Sequence, residues 1–299
     1  MYELAVTAPA KLNLFLGVGA LRPDGYHEVT TVMHALDLAD TVHVRSADEL
    51  AVSCDVDLGI SAEHNLAFRA AREFSAAYGI EVLVDIEIEK HIPHGAGRGG
   101  GSSDAAGVLA ALAHWAGLPL DHAPLVAVAR SLGADCAFML RQAPALMGGR
   151  GDEFVRALPP IAADVVLVMP ACSVATADAY RTFDTTPQPT GSVGAVADAL
   201  RDGNLSALAG SLANNLSPAA YALVPEIAVV GEWLAERTGV LGVLMAGSGS
   251  ATFALCEDAD TAGRAATAAR ERGWWSVTTQ TRARGVAVEE RAPAGEVVS

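Results

Sequence analysis

Hydrophobic and polar residues alternate with two different periodicities along the first half of the chain. Val82, Val84, Ile86 and Ile88 recur at every second position, with acidic residues at 85, 87 and 89, which predicts a strand buried on one face. Residues 108–115 instead carry apolar side chains three and four positions apart, which predicts a helix. The same criteria predict strands at residues 4–7, 12–18 and 41–45, and helices at residues 65–78 and 125–132.

A break in these patterns at residues 156–164 divides the chain into two predicted domains. Adjacent prolines at 159 and 160 interrupt both helices and strands. We therefore predict a first domain at residues 1–157 and a second at residues 161–299. The second domain is predicted to hold strands at 165–169, 243–246, 252–255 and 276–279, an extended loop at 185–190, helices at 193–200, 225–237 and 262–272, and a frayed tail from residue 291.

The segment at residues 93–106 connects the alternating strand to the apolar helix and is rich in glycine. Glycine loses much conformational freedom on folding, so the run indicates a backbone that must approach something closely. Converging N–H groups beside a helix N-terminus form a phosphate site, which we expect here. A mobile surface loop is the alternative. The glycines are Gly95, Gly97, Gly99, Gly100 and Gly101.

The helix that follows has predicted ends of its own. Ser102 is predicted to be its N-cap, and Gly117 with Pro119 should stop it.

Two known nucleotide loops can be tested against the glycine-rich segment. Gly95, Gly97 and Gly100 satisfy the spacing of the dinucleotide fingerprint, and Asp121 lies about 20 residues further on. The preceding strand argues against this fingerprint, because a dinucleotide fold needs a strand that is apolar on both faces. A Walker loop is excluded, since no lysine follows the glycines. The dinucleotide interpretation stays as an alternative.

Composition limits the classes of partner. Hydrophobic residues make up 51% and charged residues 18% of the 299 residues, as in ordinary folded proteins. A net charge of −15 disfavours nucleic acids and anionic membranes, so an anionic ligand needs a local positive pocket. Of the 20 basic residues only Lys11 and Lys90 are lysine, and both lie in or beside the segments that carry motifs. Chance retention of solvated lysines is the alternative.

The cysteines and the N-terminus concern the cellular setting. The four cysteines are scattered without metal-binding spacing, so we expect reduced and mostly buried thiols. The N-terminus lacks a basic start followed by an apolar core, and we expect a cytoplasmic protein.

Three segments together resemble the three motifs of the GHMP kinases. They are Pro-Ala-Lys-Leu-Asn at residues 9–13, the glycine-rich segment at 93–106, and Met-Ala-Gly-Ser-Gly-Ser-Ala-Thr at 245–252. Their order and spacing match the family along nearly the whole chain. The resemblance implies a two-domain α+β fold: an N-terminal nucleotide-binding domain on a mixed sheet and a C-terminal ferredoxin-like α+β domain, with the active site in the cleft between them.

The resemblance also implies phosphoryl transfer from ATP with Mg²⁺. Asp135 is the implied base that takes the proton of the substrate hydroxyl, and Lys11 is implied to lie beside it. A hydroxyl from Ser102 or Ser103 is implied to help order Mg²⁺, with Ser103 as the named metal ligand, and plain helix capping is the alternative role. The residues implied to hold ATP are Asn65, Lys90, Pro93, Gly95, Gly97, Arg98, Gly99, Gly100, Gly101, Ser102 and Ser103.

Within the family, three further segments indicate the acceptor. Residues 22–27, 63–66 and 132–135 are similar to those of members that act on a cytidine diphosphate derivative of methylerythritol, so we expect this small molecule as the partner. Members acting on homoserine, mevalonate or a sugar are the alternatives, as is a ligand sensor that has lost catalysis. The oligomeric state does not follow from the sequence.

The same similarity implies roles on the acceptor side. Tyr26 is implied to stack on the cytosine, with Tyr180 as a second face, and His27 to hydrogen-bond the edge of the base. Asn13 is implied to position the erythritol hydroxyls. The residues implied to close the site from the second domain are Gly247, Ser248 and Gly249.

The chain departs from the family pattern at three places. The family more often has leucine where Arg98 stands, Cys136 and Ala137 replace a Val-Pro pair, and Ser250 replaces a small or apolar residue. Arg98 is expected either to add positive charge over the phosphates or to point to solvent. None of these changes removes a group implied in catalysis.

Overall fold

The computed structural model describes residues 3–93 and 99–291, which form twelve strands and ten helices. The strands are β1 (Glu3–Leu21), β2 (His27–Ser46), β3 (Ala51–Cys54), β4 (Val84–Glu89), β5 (Ala145–Gly148), β6 (Glu153–Ala157), β7 (Asp164–Met169), β8 (Ala213–Asn214), β9 (Val240–Met245), β10 (Thr252–Cys256), β11 (Trp275–Arg282) and β12 (Ala287–Arg291). The helices are α1 (Leu66–Tyr78), α2 (Gly100–Trp115), α3 (Ala123–Leu132), α4 (Ala134–Met139), α5 (Thr176–Thr185), α6 (Val193–Arg201), α7 (Leu205–Ser211), α8 (Ser217–Leu223), α9 (Glu226–Ala235) and α10 (Ala259–Glu271).

A long antiparallel hairpin of β1 and β2 is the centre of the N-terminal half. The two strands predicted at residues 4–7 and 12–18 are in fact one strand, β1. The prediction divided them at Pro9, but the register of the β1–β2 pairing shifts between Pro9 and Lys11. Such an irregularity lets a proline stay within a sheet, because it relieves the need for a ladder N–H.

The strands of both halves form one connected sheet with the order β12-β1-β2-β11-β7-β10-β9. The halves meet where β11 pairs with β2, at Thr281 opposite Leu36 and Arg282 opposite Ala35. After β11 the chain returns, and β12 pairs with β1. The last strand therefore belongs to the N-terminal part of the sheet, and the predicted division at 157 and 161 stays a prediction.

Helix α2 packs most of its length into the N-terminal core. Its residues from Ser103 to Ala113 are buried, and Gly107 lets it lie close to the sheet, since a Cβ there would come within 3.3 Å of Val42 Cγ2. The predicted N-cap was wrong: α2 begins at Gly100, and its N-cap is Gly99 in the left-handed conformation at φ 72°. Ser102 thus lies inside the first turn.

Most other predicted elements agree with the structure to within a few residues, including α1, α3, α6, α9 and α10. The short helices α4, α5, α7 and α8 were not predicted. None of the described helices is long and apolar enough to cross a membrane. The four cysteines form no disulfide, and two of them, Cys136 and Cys256, are buried, so the expectation of mostly buried thiols holds for half of them.

The connection from β11 to β12 passes the end of α4 at Gly285. A Cβ at Gly285 would lie 2.3 Å from the carbonyl oxygens of Met139 and Arg141, and backbone atoms cannot move aside cheaply. We predict that Gly285→Ala lowers the free energy of unfolding by about 1–3 kcal/mol, measured by urea denaturation. As a control, Gly263→Ala in α10 has open space around the new methyl and should be about 0.5–1 kcal/mol more stable. Equal effects of the two changes would contradict this packing.

Candidate active site

Two adjoining cavities lie where the first turn of α2 faces the C-terminal half. The small cavity has a volume of about 270 Å³, and the large cavity about 650 Å³. Gly99, Ser102 and Thr176 line both, so the cavities meet at the beginning of α2. Strands β1 and β2 line the small cavity from one side, and α5 with Gly247 and Ser248 lines it from the other.

Lys11 and Asp135 lie together in the small cavity. The Lys11 Nζ is 3.5 Å from Asp135 Oδ2 and donates to Asn13 Oδ1 at 2.7 Å. The Asn13 amide in turn donates to Thr31 Oγ1, and the Thr31 hydroxyl donates to the Phe15 carbonyl. Lys11 is 3% exposed, whereas the Asp135 side chain is 26% exposed. The ammonium is therefore held in a fixed position beside a carboxylate that a ligand can reach.

The backbone on both sides brings Asp135 to this point. Helix α3 ends at Leu132, extended Gly133 follows, and α4 begins at once with Asp135 in its first turn, where the helix dipole favours an acidic side chain. On the opposite side, a Cβ at Gly99 would lie 3.1 Å from Asp135 Oδ2 and 3.5 Å from Lys11 Cε. The positive φ favours glycine there, and a Cβ would in addition crowd the Asp135 carboxylate.

The N-terminal turn of α2 forms one wall of the large cavity. Gly99, Gly100, Gly101 and Ser102 line it together with Pro93. The first N–H groups of a helix have no intrahelical partners and attract anions. The wall therefore suits phosphate groups. Gly95, Gly97 and Arg98 lie outside the described residues, so the predictions made for them stay predictions.

The two serines of this turn have different surroundings. Ser102 lines both cavities and lies beside the Cys136 thiol, whose pKa burial raises to about 12. Ser103 is fully buried, and its hydroxyl donates to the Pro9 carbonyl at 2.8 Å. This geometry favours Ser102 over Ser103 as the hydroxyl next to a ligand, although Ser103 as a Mg²⁺ ligand stays a prediction.

Asn65 lines the large cavity and also caps a helix. Its side-chain oxygen accepts from the Ala67 N–H at 2.9 Å, which makes it the N-cap of α1. Its amide nitrogen lies 3.7 Å from the Cys54 sulfur. The predicted contact with ATP would come in addition to this structural role.

Lys90 lines the large cavity and belongs to a buried ion cluster. Its ammonium donates to Asp40 and Asp104 at 2.5 and 2.6 Å. Burial disfavours the charged ammonium, but the two carboxylates outweigh this effect and raise the pKa of Lys90. Burial raises the pKa of Asp104 to about 7; Lys90 opposes the rise and Asp40 adds to it.

The aromatic residues of the predicted acceptor side lie next to one another. Tyr180, on α5, lines the small cavity, and its ring centroid is 5.3 Å from that of His27. Burial, with a smaller effect of the Asp135 carboxylate, raises the pKa of Tyr180 to about 12, so its phenol stays protonated. The His27 Nε2 lies 2.7 Å from Asp184 Oδ1. Tyr26 is more than half exposed, which leaves its ring available to stack on a planar ligand.

The glycine turn at residues 247–249 closes the cavities from the C-terminal half. Gly247 and Ser248 line the small cavity and Gly249 lines the large one, and the Ser248 hydroxyl lies 2.8 Å from that of Thr176. Asn214 supports this turn by donating to the carbonyls of Met245 and Gly247.

The sequence analysis missed several residues that contribute to the site. The Arg150 guanidinium lies 4.8 Å from the Tyr26 ring centroid and lines the small cavity, and it pairs with buried Asp152. Thr31 and Asn214 were missed as well. Arg150 and Asp152 stand in the segment Gly-Gly-Arg-Gly-Asp, whose turn-forming glycines beside charged residues were the one signal available.

Comparison with known families identifies the family to which the chain belongs. The model of the GHMP kinases N terminal domain matches residues 65–149, and that of the GHMP kinases C terminal matches residues 196–273. The chain belongs to the GHMP kinase family. The expected two-domain α+β fold of this family is thereby confirmed, and family membership implies the use of ATP. The dinucleotide interpretation of the glycine-rich segment is wrong.

Individual GHMP kinases are similar over most of the chain. The 4-diphosphocytidyl-2-C-methyl-D-erythritol kinase of Desulfitobacterium hafniense (strain Y51) is 39% identical over 95% of this chain and 97% of its own. A crystal structure of 4-(cytidine 5'-diphospho)-2C-methyl-D-erythritol kinase aligns with a TM-score of 0.77 and 38% identity, covering 93% of this chain and 98% of its own. Homoserine kinase from Cytophaga hutchinsonii shares the fold, with a TM-score of 0.75 and 20% identity over 96% and 97% of the two chains.

The raised pKa of Asp104 predicts a pH dependence of stability. Because this pKa rises from 3.8 to about 7 on folding, the folded protein binds the proton more tightly, and stability falls as pH rises through this range. We predict that Asp104→Asn, which cannot ionise, has a shallower decline, measured by urea unfolding across this range. Asp85→Asn, at a half-exposed carboxylate, serves as the control and should keep the wild-type slope. An Asp104→Asn slope equal to that of the wild type would contradict the assignment.

Proposed function

We propose that the protein transfers the γ-phosphoryl group of ATP to the 2-hydroxyl of 4-diphosphocytidyl-2-C-methyl-D-erythritol, a step of the non-mevalonate route to isoprenoid precursors. The observation that carries the proposal is the position of Lys11 and Asp135 at the junction of the two cavities, against Gly99 at the start of α2. The names of relatives at 38–39% identity support the choice of acceptor.

The large cavity fits a nucleotide triphosphate. Backbone N–H groups at Gly99, Gly100 and Gly101 would hold phosphate oxygens, and the absence of a Cβ at Gly99 lets the backbone lie against the catalytic carboxylate. No group of three or more His, Cys, Asp or Glu side chains within the described ranges could hold a metal ion. Mg²⁺ would therefore depend mainly on phosphate oxygens, with the Ser102 hydroxyl beside them. When bound, Mg²⁺ neutralises charge on the phosphate oxygens.

Asp135 and Lys11 have different chemical roles in the small cavity. The partly exposed carboxylate of Asp135 accepts the proton of the acceptor hydroxyl while the hydroxyl oxygen bonds to the γ-phosphorus and the bond to ADP breaks, and general base help of this kind contributes about 10²–10⁴-fold. The buried ammonium of Lys11, fixed by Asn13, stabilises the negative charge on the transferring group. Holding both side chains at one point also supplies the orientation that phosphoryl transfer needs.

The acceptor would extend from the small cavity towards the aromatic residues. Its erythritol end would reach Asn13 and Asp135, and its cytosine would stack on Tyr26 and Tyr180 with His27 at the base edge. Arg150 is a cation on this path, between the small cavity and Tyr26. A cation there suits a diphosphate, which a protein of net charge −15 must bind in a local positive region.

An assay with a panel of acceptors tests the proposed reaction. ADP release from Mg-ATP is measured with the cytidine diphosphate derivative of methylerythritol, homoserine, mevalonate and galactose, each at the same concentration. We expect turnover with the cytidine derivative alone. Turnover with another acceptor alone would contradict the proposed substrate and assign that acceptor to this GHMP kinase. ATP binding without any turnover would favour a ligand sensor.

Substitutions at the two catalytic positions test the assigned roles. We predict that Asp135→Asn removes nearly all turnover while its thermal unfolding stays close to that of the wild type, because the amide cannot take a proton. Lys11→Arg should also be severely impaired although it keeps the charge, since the planar guanidinium does not fit the space of a compact ammonium bonded to Asn13. Steady-state kinetics measures both. A kcat close to that of the wild type in either variant would contradict the assignment.

A further inference from the structure

A buried cluster of three charged side chains connects the residues just before the glycine-rich segment with the helix in which the segment ends. Lys90 directly follows β4 and lies three residues before the segment, whereas Asp104 lies in α2, within the helical end of the segment. One ammonium contacts both Asp104 and Asp40, the latter on β2, and the three side chains are 5%, 3% and 0% exposed. The Lys90 ammonium thus connects the residue after β4 with the first turns of α2.

Asp40 also binds the backbone just before the segment directly. Its second oxygen, Oδ1, accepts the N–H groups of His91 and Ile92 at 2.6 and 2.7 Å. The same carboxylate binds Lys90 through Oδ2. Asp40 therefore binds the backbone of residues 91 and 92 and the Lys90 ammonium at once.

The charge of the cluster argues against Lys90 as a ligand of the phosphates. Two of its three ammonium protons are donated to carboxylates, and two carboxylates against one ammonium leave no excess positive charge when both are ionised. Replacing such buried ion clusters by apolar residues often leaves stability unchanged or raises it, so a gain in stability does not explain the cluster. Its position around the glycine-rich segment does.

We propose that Asp40, Lys90 and Asp104 form a clamp that ties residues 90–92, just before the glycine-rich segment, to the first turns of α2, so that Lys90 is a positioning residue and does not bind the phosphates through its ammonium. The clamp would preorganise the backbone donors at the start of α2, and donors held in place before binding need no reorganisation during the reaction. The proposal rests on the proposed use of ATP by this segment. It replaces the direct contact that the sequence predicted for Lys90.

Two substitutions test the clamp without leaving an unmatched buried charge. Asp40→Ala and Asp104→Ala each leave Lys90 with one carboxylate. We expect kcat/KM for ATP to fall by roughly 10²-fold in each, while KM for the acceptor stays at the wild-type value. Asp104→Asn keeps an oxygen that Lys90 can bond and should recover much of the loss. Asp85→Ala is the control, since it removes a half-exposed carboxylate from the same pair of strands, β2 and β4.

Hydrogen exchange in the ligand-free protein separates positioning from direct contact. Asp40→Ala should speed exchange of the His91 and Ile92 amides, and Asp104→Ala should speed exchange at the first turn of α2, with the Asp85→Ala protein unchanged. Wild-type exchange rates in these variants, or unchanged kinetics with ATP, would overturn the clamp. If the wild-type protein bound no ATP, the proposed function would fail, and the exchange rates would still decide whether the clamp exists.

Discussion

The start of α2 packs closely against β1 and α4, so that a Cβ at position 99 would crowd the Asp135 carboxylate at a positive φ that already favours glycine. The Gly99 backbone lies against Asp135 and Lys11, and the Ser103 hydroxyl ties the same turn to the Pro9 carbonyl. This contact falls on β1 just where its pairing with β2 is irregular, two residues before Lys11. One close packing therefore brings together a helix N-terminus for anions, a lysine and a carboxylate, which is the arrangement that phosphoryl transfer requires.

The C-terminal half completes the site from strands that belong to the same sheet. Strand β11 pairs with β2 and carries the sheet across, while α5 and the turn after β9 bring Tyr180 and Gly247 to the cavity opposite β1. Asn214 holds that turn through two carbonyl groups, so the opposite wall is also set by specific hydrogen bonds. Because both walls are attached to strands of one sheet, the position of the cavity is set by the sheet as well as by the loops.

The sequence predicted the parts of this arrangement that have a local signal. Alternation marked β4, helical spacing marked α2, and the resemblance to GHMP kinases singled out Lys11 and Asp135, which the structure places 3.5 Å apart. Contacts that depend on tertiary structure had no such signal: the continuity of β1 through Pro9 comes from its pairing with β2. Asp40 was not predicted either, because its partners lie 50 to 52 residues further along the chain.

We infer that the phosphoryl donor and the acceptor meet next to Gly99, Lys11 and Asp135. The most direct test is a crystal structure with a non-hydrolysable ATP analogue and the cytidine diphosphate derivative of methylerythritol bound together. We expect the triphosphate along residues 99–102 and the 2-hydroxyl of the acceptor within hydrogen-bonding distance of Asp135, with Lys11 at the γ-phosphate. A triphosphate bound elsewhere, or an acceptor hydroxyl out of reach of Asp135, would contradict it.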